Sequence, residues 1–103
     1  MTAREALRLA TAGGARCLGR SEELGSLEAG KLADISLWKV DGLEDAGIED
    51  KLASLVLGTP RRAHHVVVGG RVVVEAGELK TADREMLASS LTKQATRLAE
   101  ARQ

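Results

Sequence analysis

The chain has 103 residues, of which 44% are hydrophobic and 29% charged, and its formal net charge is zero. This length allows one domain at most, and the composition is that of an ordinary globular chain. Trp38 is the only aromatic residue and no basic stripe is present, so neither nucleic acid nor an anionic membrane is expected as a partner. Cys17 is the only cysteine and no long apolar run begins the chain, which together favour a cytoplasmic protein.

The first twenty residues predict two short helices in series. Thr2 and Glu5 have the spacing of a capping box, in which each side chain bonds the backbone amide of the other residue. Gly13 and Gly14 then interrupt the apolar pattern, and Thr11 is placed to cap a second short helix.

A turn and a strand are predicted next. Gly30 and Lys31 belong to the turn, and residues 33–40 alternate between apolar and polar side chains, as a strand does. A further short strand is predicted near Leu27. Asp34 lies where the turn becomes the strand. We expect it to be partly buried, with Lys31 nearby, and to accept hydrogen bonds from turn amides in a structural role.

The second half of the chain predicts a helix, a hairpin and a final helix. Apolar residues at positions 48, 52, 55 and 56 share one helical face, and Gly58 ends that helix. Gly69 and Gly70 form a two-residue turn between two valine-rich strands, the strongest hairpin signal in the chain. Residues 82–101 predict an amphipathic helix.

The valine-rich hairpin predicts a contact surface. The chain offers few other residues to cover it, and an exposed apolar strand edge pairs readily with another chain. We therefore expect these strands to lie at or near an interface, either with a second copy or with missing N-terminal sequence. The candidate interface residues are Val66, Val67, Val68, Val72, Val73 and Val74.

No self-contained catalytic or metal site is predicted. His64 and His65 are adjacent at the start of a strand, so their side chains point to opposite faces and do not easily hold one metal. Cys17 has no histidine nearby in sequence to activate it, and burial by packing is expected. Most carboxylates, a group that includes Asp45, are expected to face solvent.

Several motifs, in order along the chain, resemble the C-terminal part of the amidohydrolase superfamily. The segments 6–11 and 14–19 resemble the end of its barrel, and residues 25–35 resemble the turn and strand that lead into a small β-sandwich. The hairpin with Gly77 resembles the closing hairpin of that sandwich. Residues 43–57 resemble the subgroup acting on 8-oxoguanine, guanine-like purines or s-triazines, although 49–51 read Glu-Asp-Lys where that subgroup has a His-Asp-Pro-like stretch.

The resemblance implies an α/β (α+β) fold that is incomplete. Residues 1–20 would be the terminal helices of a missing barrel, residues 21–80 part of a composite β-sandwich with an inserted helix, and residues 81–103 a C-terminal helix. The family's sandwich uses strands from both chain ends, and its metal ligands, which hold Zn or Fe, lie upstream of these motifs. The chain is therefore expected to hold no cofactor and to be inactive alone, although its parent would hydrolyse a C–N bond. The alternative is a stand-alone interaction module that pairs through its strand edges.

Overall fold

The computed structural model describes residues 1–102, so Gln103, the last residue of the predicted C-terminal segment, lies outside the described residues. The fold combines helices with one antiparallel sheet. Helices α1 and α2 come first, and strand β1, helix α3, strands β2, β3 and β4 and helix α4 follow. Their bounds are α1 Ala3–Arg8, α2 Gly14–Cys17, β1 Ile35–Leu37, α3 Lys51–Leu57, β2 His65–Val68, β3 Arg71–Glu75, β4 Glu78–Leu79 and α4 Arg84–Ala101.

The N-terminal helical run is continuous, so the predicted break at the glycine pair is wrong. The capping box is confirmed: the Glu5 amide donates to Thr2 Oγ1 at 3.1 Å, and the Thr2 amide donates to Glu5 Oε2 at 2.8 Å. A π-helical segment, Leu9–Gly13, joins α1 to α2. Thr11 caps nothing, because its hydroxyl donates to the Leu7 carbonyl at 2.8 Å in the preceding turn. Gly13 and Gly14 both take right-handed helical angles, so they continue the helix.

The four strands follow one another in the sheet in the order β1-β2-β3-β4. The predicted hairpin is confirmed, with Gly69 and Gly70 at φ values of 57° and 84° in the turn between β2 and β3. An irregularity in register between Val66 and Val67 sets Val66 opposite Val74 and Val67 opposite Val72. The strand predicted over residues 33–40 is shorter than expected.

Strand β4 was not predicted, and it changes the role of the hairpin. Ala76 and Gly77, at φ values of 49° and 81°, make a second tight turn, which joins β3 to β4. Strand β2 lies between β1 and β3, and β3 lies between β2 and β4. The expectation of an unpaired valine edge is therefore wrong, because the edge strands are β1 and β4. A partner would reach the valines only through a face of the sheet.

The remaining elements agree with the sequence in kind but differ in extent. Helix α3 starts three residues later than the predicted apolar pattern, because Asp50 caps it and accepts from the Leu52 and Ala53 amides at 3.0 and 3.2 Å. The strand predicted near Leu27 is wrong: this residue lies in an irregular loop and is 78% exposed. Helix α4 is confirmed, and Asp83 caps it.

The described chain has almost no enclosed apolar core. Its buried apolar residues are Ala3 and Ala15, whereas Leu18 is 71% exposed and Leu43 is 90% exposed. The Cα radius of gyration is 17.3 Å, compared with about 13 Å for a compact domain of this length. The fold therefore leaves large apolar surfaces open. None of the helices described is long and apolar enough to cross a membrane.

Candidate functional site

An apolar groove lies between the N-terminal helical run and the start of β1. Its volume is about 810 Å³. Leu7 and Leu18 lie on the helical wall, and Leu24, Leu27 and Ile35 lie on the opposite wall. Leucine-rich concave surfaces bind apolar groups, so this groove is the main candidate binding surface of the chain.

Lys31 fixes the loop that forms one wall of this groove. Its ammonium group donates to the Ser21 carbonyl at 2.8 Å and to Ser26 Oγ at 2.7 Å, and it lies 3.0 Å from Glu28 Oε2. The partners of the Lys31 ammonium group thus belong to its own loop, and its ion pair is with Glu28. The Ser26 hydroxyl and then Lys31 hold the pKa of the Glu28 carboxyl below its ordinary value.

Gly25 brings the same loop into direct contact with the helices. Its φ is 96°, and a Cβ built on it would lie 2.8 Å from the Ala15 Cβ and 3.2 Å from the Thr11 carbonyl oxygen. Only glycine fits both this backbone conformation and this close approach. Gly30 also has a positive φ, 91°, which favours glycine. A Cβ built on Gly30, however, would have no atom within 4 Å.

Asp34 bonds a turn amide, but the turn is a different one from the turn expected. Its Oδ1 accepts from the Gly69 amide at 2.8 Å, across 35 positions of sequence. The Gly70 amide also donates to the Ala33 carbonyl at 3.1 Å, so the start of β1 is held against the hairpin turn. Asp34 is exposed, which corrects the expectation of partial burial. The tertiary fold brings the two turns together.

A buried ion pair, not predicted from the sequence, joins Asp45 to Arg61. The Asp45 side chain is fully buried, although the sequence interpretation had placed it in solvent. Arg61 donates to both carboxylate oxygens, from Nη1 at 2.9 Å and from Nη2 at 2.8 Å. The buried Ser54 hydroxyl also donates to Asp45. Such bidentate geometry with an additional hydrogen bond is what compensates the cost of burying a carboxylate.

This ion pair joins the sheet to the inserted helix. Besides Asp45, Arg61 donates to the Lys39 carbonyl at 2.8 Å, just after β1. Ser54 lies on α3, and the Lys51 ammonium group at the start of the same helix donates to the Asp45 carbonyl at 3.1 Å. Because α1 lies against α3, the pair also sets the position of the helical wall of the groove.

The hydrogen bonds from Arg61, followed by the one from Ser54, hold the pKa of the Asp45 carboxyl far below its usual range. The Arg61 pKa is raised, chiefly by the same contact. Burial acts in the opposite direction on both groups. The pair therefore stays ionised at neutral pH.

Acid is expected to remove the stabilisation that Asp45 provides. Since the folded-state pKa is lower than the unfolded value of about 3.9, the contribution is complete above the unfolded value and is lost progressively as pH falls from there toward the folded-state pKa. The melting temperatures of the chain and of Asp45→Asn should therefore differ most near neutral pH and converge below about pH 4. Glu28 and His64, whose pKa values are also lowered, are present in both proteins and cancel in the comparison. A constant difference down to about pH 2 would contradict this assignment.

The histidines and the cysteine do not come together. The rings of His64 and His65 lie edge to face with centroids 4.5 Å apart. Burial lowers the pKa of His64, with a smaller contribution from nearby Lys39. Cys17 is exposed at the groove, so its expected burial is wrong. Within residues 1–102, no group of three or more His, Cys, Asp or Glu side chains is placed to hold a metal ion.

Comparison with known proteins identifies the family. The model described as "Amidohydrolase family" matches residues 1–73, more than half of the chain, and the chain therefore belongs to this family. It is 45% identical over 78 residues to the 8-oxoguanine deaminase of Pseudomonas aeruginosa, covering 76% of this chain and 17% of that protein. Its identity to the 5-methylthioadenosine/S-adenosylhomocysteine deaminase of Desulforudis audaxviator is 38% over 95 residues, covering 91% of this chain and 22% of the relative.

A solved relative has the same fold over most of the chain. The crystal structure of atrazine chlorohydrolase from Arthrobacter aurescens, complexed with zinc, superposes with a TM-score of 0.82 at 44% identity, covering 89% of this chain and 20% of that one. The chain thus spans about a fifth of the length of the relatives it matches. The relative binds zinc, but the residues described here do not fit a zinc site by themselves.

Proposed function

We propose that this chain is the C-terminal structural part of a zinc-dependent amidohydrolase that hydrolyses the bond between a nitrogen heterocycle and its amino group. The observation that carries the proposal is the agreement in sequence and fold with a zinc-bound heterocycle hydrolase. The names of the two deaminase relatives support a purine-like substrate. Zinc in such an enzyme lowers the pKa of a bound water, and its ligands would come from outside these residues.

In this proposal the chain contributes surfaces for the rest of the enzyme. The helical run of residues 1–20 would complete a barrel. The groove along its apolar side would be filled by apolar side chains from the rest of the enzyme. The sheet within residues 21–80 would form one part of a small sandwich, and strand β1, which has an open edge, would accept a strand from elsewhere. The scarcity of buried apolar residues supports this role, because such a chain gains much of its burial only on contact with further sequence.

A chimera tests the proposal. The matching C-terminal segment of the Arthrobacter atrazine chlorohydrolase would be replaced by this chain. We expect the chimera to keep the zinc content of the unmodified enzyme and to release chloride from atrazine at a rate within about tenfold of it, a loss of about 1.4 kcal/mol or less. Zinc is measured by elemental analysis and folding by circular dichroism.

Two variants of the chimera show whether the groove matters. Leu7→Asp places a charge in the groove and is expected to abolish the cooperative thermal transition and zinc retention. Arg4→Asp changes an exposed residue of the same helix and should leave both nearly unchanged. A chimera that folds cooperatively but neither holds zinc nor turns over substrate would refute the proposal.

A further inference from the structure

The loop between α2 and β1 surrounds a single ammonium group. Lys31 Nζ lies 2.8 Å from the Ser21 carbonyl oxygen, 2.7 Å from Ser26 Oγ and 3.0 Å from Glu28 Oε2. The Leu24 carbonyl is a fourth and more distant acceptor at 3.4 Å. The lysine side chain is only 16% exposed. Three short contacts are the number that the three N–H bonds of an ammonium group can satisfy.

The shape of this loop depends on the cation. Two of the converging oxygen atoms are the Ser21 and Leu24 carbonyls, and within residues 1–102 no backbone amide donates to either of them. Without a cation between them, the carbonyl and hydroxyl oxygens would face one another and repel. The carboxylate of Glu28 is 63% exposed, so the ion pair alone adds little. The hydrogen bonds from the ammonium group to the loop oxygens therefore matter more than the ion pair.

The oxygen atoms around Lys31 Nζ fit a monovalent cation that carries N–H bonds. They are four in number, and only Glu28 contributes a formal charge. Calcium takes six to eight oxygen ligands and magnesium requires an octahedron, so a divalent ion would be left poorly coordinated. The three short distances instead lie in the range of N–H···O hydrogen bonds.

We propose that residues 21–28 form an ammonium-binding loop, and that Lys31 supplies its cation from within the chain. When the lysine side chain is shortened, the loop takes up a free primary ammonium ion in its place. The same loop carries Gly25, which closely approaches Ala15 of α2. The cation therefore also positions this wall of the groove. This inference concerns contacts inside the described chain and does not depend on the proposed enzymatic role.

Lys31→Ala with added n-propylammonium tests the proposal, because this ion replaces the atoms that the substitution removes. Thermal unfolding of the whole chain is followed by circular dichroism. The substitution should lower the melting temperature by about 8 °C, since it leaves the loop oxygens without their donor. About 100 mM n-propylammonium chloride, with a dissociation constant on the order of 10 mM, should restore about 5 °C of this loss. Equal concentrations of n-propanol or sodium chloride should restore none of it.

Two further variants serve as controls. Lys31→Met fills the space of the lysine stem with an uncharged side chain, so it should be destabilised and should not respond to the amine. Lys80→Ala removes a lysine that is 52% exposed and should neither lose much stability nor respond. An unchanged melting temperature of Lys31→Ala, or the same response to the amine in Lys80→Ala, would overturn the proposal. If Lys31→Ala shows no cooperative transition by itself, n-propylammonium should restore one, and a chain that stays unfolded in its presence would equally refute the ammonium-binding loop.

Discussion

Arg61→Met is expected to lower the melting temperature of the chain by about 12 °C or more. Asp45 would remain fully buried after this change and would lose the bond from Arg61 to each of its carboxylate oxygens, keeping only the bonds from the Ser54 hydroxyl and the Gly42 amide and no countercharge. The links from Arg61 to the Lys39 carbonyl and across to α3 would disappear as well. Thermal unfolding followed by circular dichroism at neutral pH measures the effect.

Lys80→Met is the matched control, because it removes the cation of a solvent-exposed pair. The Lys80 ammonium group lies 3.5 Å from Glu75 Oε2, and the two side chains are 52% and 55% exposed. Such a pair adds little to stability, so the melting temperature should change by no more than about 5 °C. The double variant Asp45→Leu with Arg61→Met should recover part of the loss, since no buried charge is left unpaired. If Lys80→Met and Arg61→Met lower the melting temperature equally, burial of the Asp45–Arg61 pair does not contribute to stability.

Gly25→Ala is expected to destabilise the chain by about 3 kcal/mol. Part of this, about 1–2 kcal/mol, comes from forcing a side chain into a positive φ conformation. The rest comes from overpacking, about 1–3 kcal/mol, because the new methyl group would lie 2.8 Å from the Ala15 Cβ. The loop would have to move away from the helices and open the groove. Urea unfolding gives the free energy of unfolding.

Gly30→Ala separates the two costs. Gly30 has nearly the same φ, 91°, but a Cβ there has no atom within 4 Å. Only the conformational cost of about 1–2 kcal/mol should remain. If the two variants lose the same stability, the close approach of Gly25 to the helix does not constrain the loop.

Gly25→Ala and Arg61→Met both alter the position of the helical run relative to the sheet. Gly25 and the bonds of Lys31 hold the loop against α2, and the Asp45–Arg61 pair holds α3, against which α1 lies. The shape of the groove therefore depends on two separate sets of contacts, those of the Gly25 loop with α2 and those of the Asp45–Arg61 pair with α3. In the proposed enzyme both sets of contacts would determine how the rest of the enzyme packs against the groove.

Local sequence patterns were sufficient for most elements and for the family. The capping box at Thr2, the Gly69–Gly70 hairpin and the amphipathic helix α4 each depend on residues close together in sequence, so their physics can be read from spacing. The motifs over residues 6–35 indicated the amidohydrolase family, which the match over residues 1–73 confirms. Element boundaries were less predictable. Strand β4 was missed because its two residues carry no period of their own.

The buried ion pair shows what only the tertiary structure decides. Asp45 and Arg61 lie 16 positions apart, and Asp34 and Gly69 lie 35 apart. In the sequence Asp45 is one acid among many in a polar stretch, with nothing local to distinguish it from its solvated neighbours. Burial of a charge is decided by which distant group the fold places beside it. The sequence alone therefore determined the local elements and the family. Packing of segments distant in sequence decided which carboxylate is buried, which glycine is irreplaceable and which apolar faces stay open.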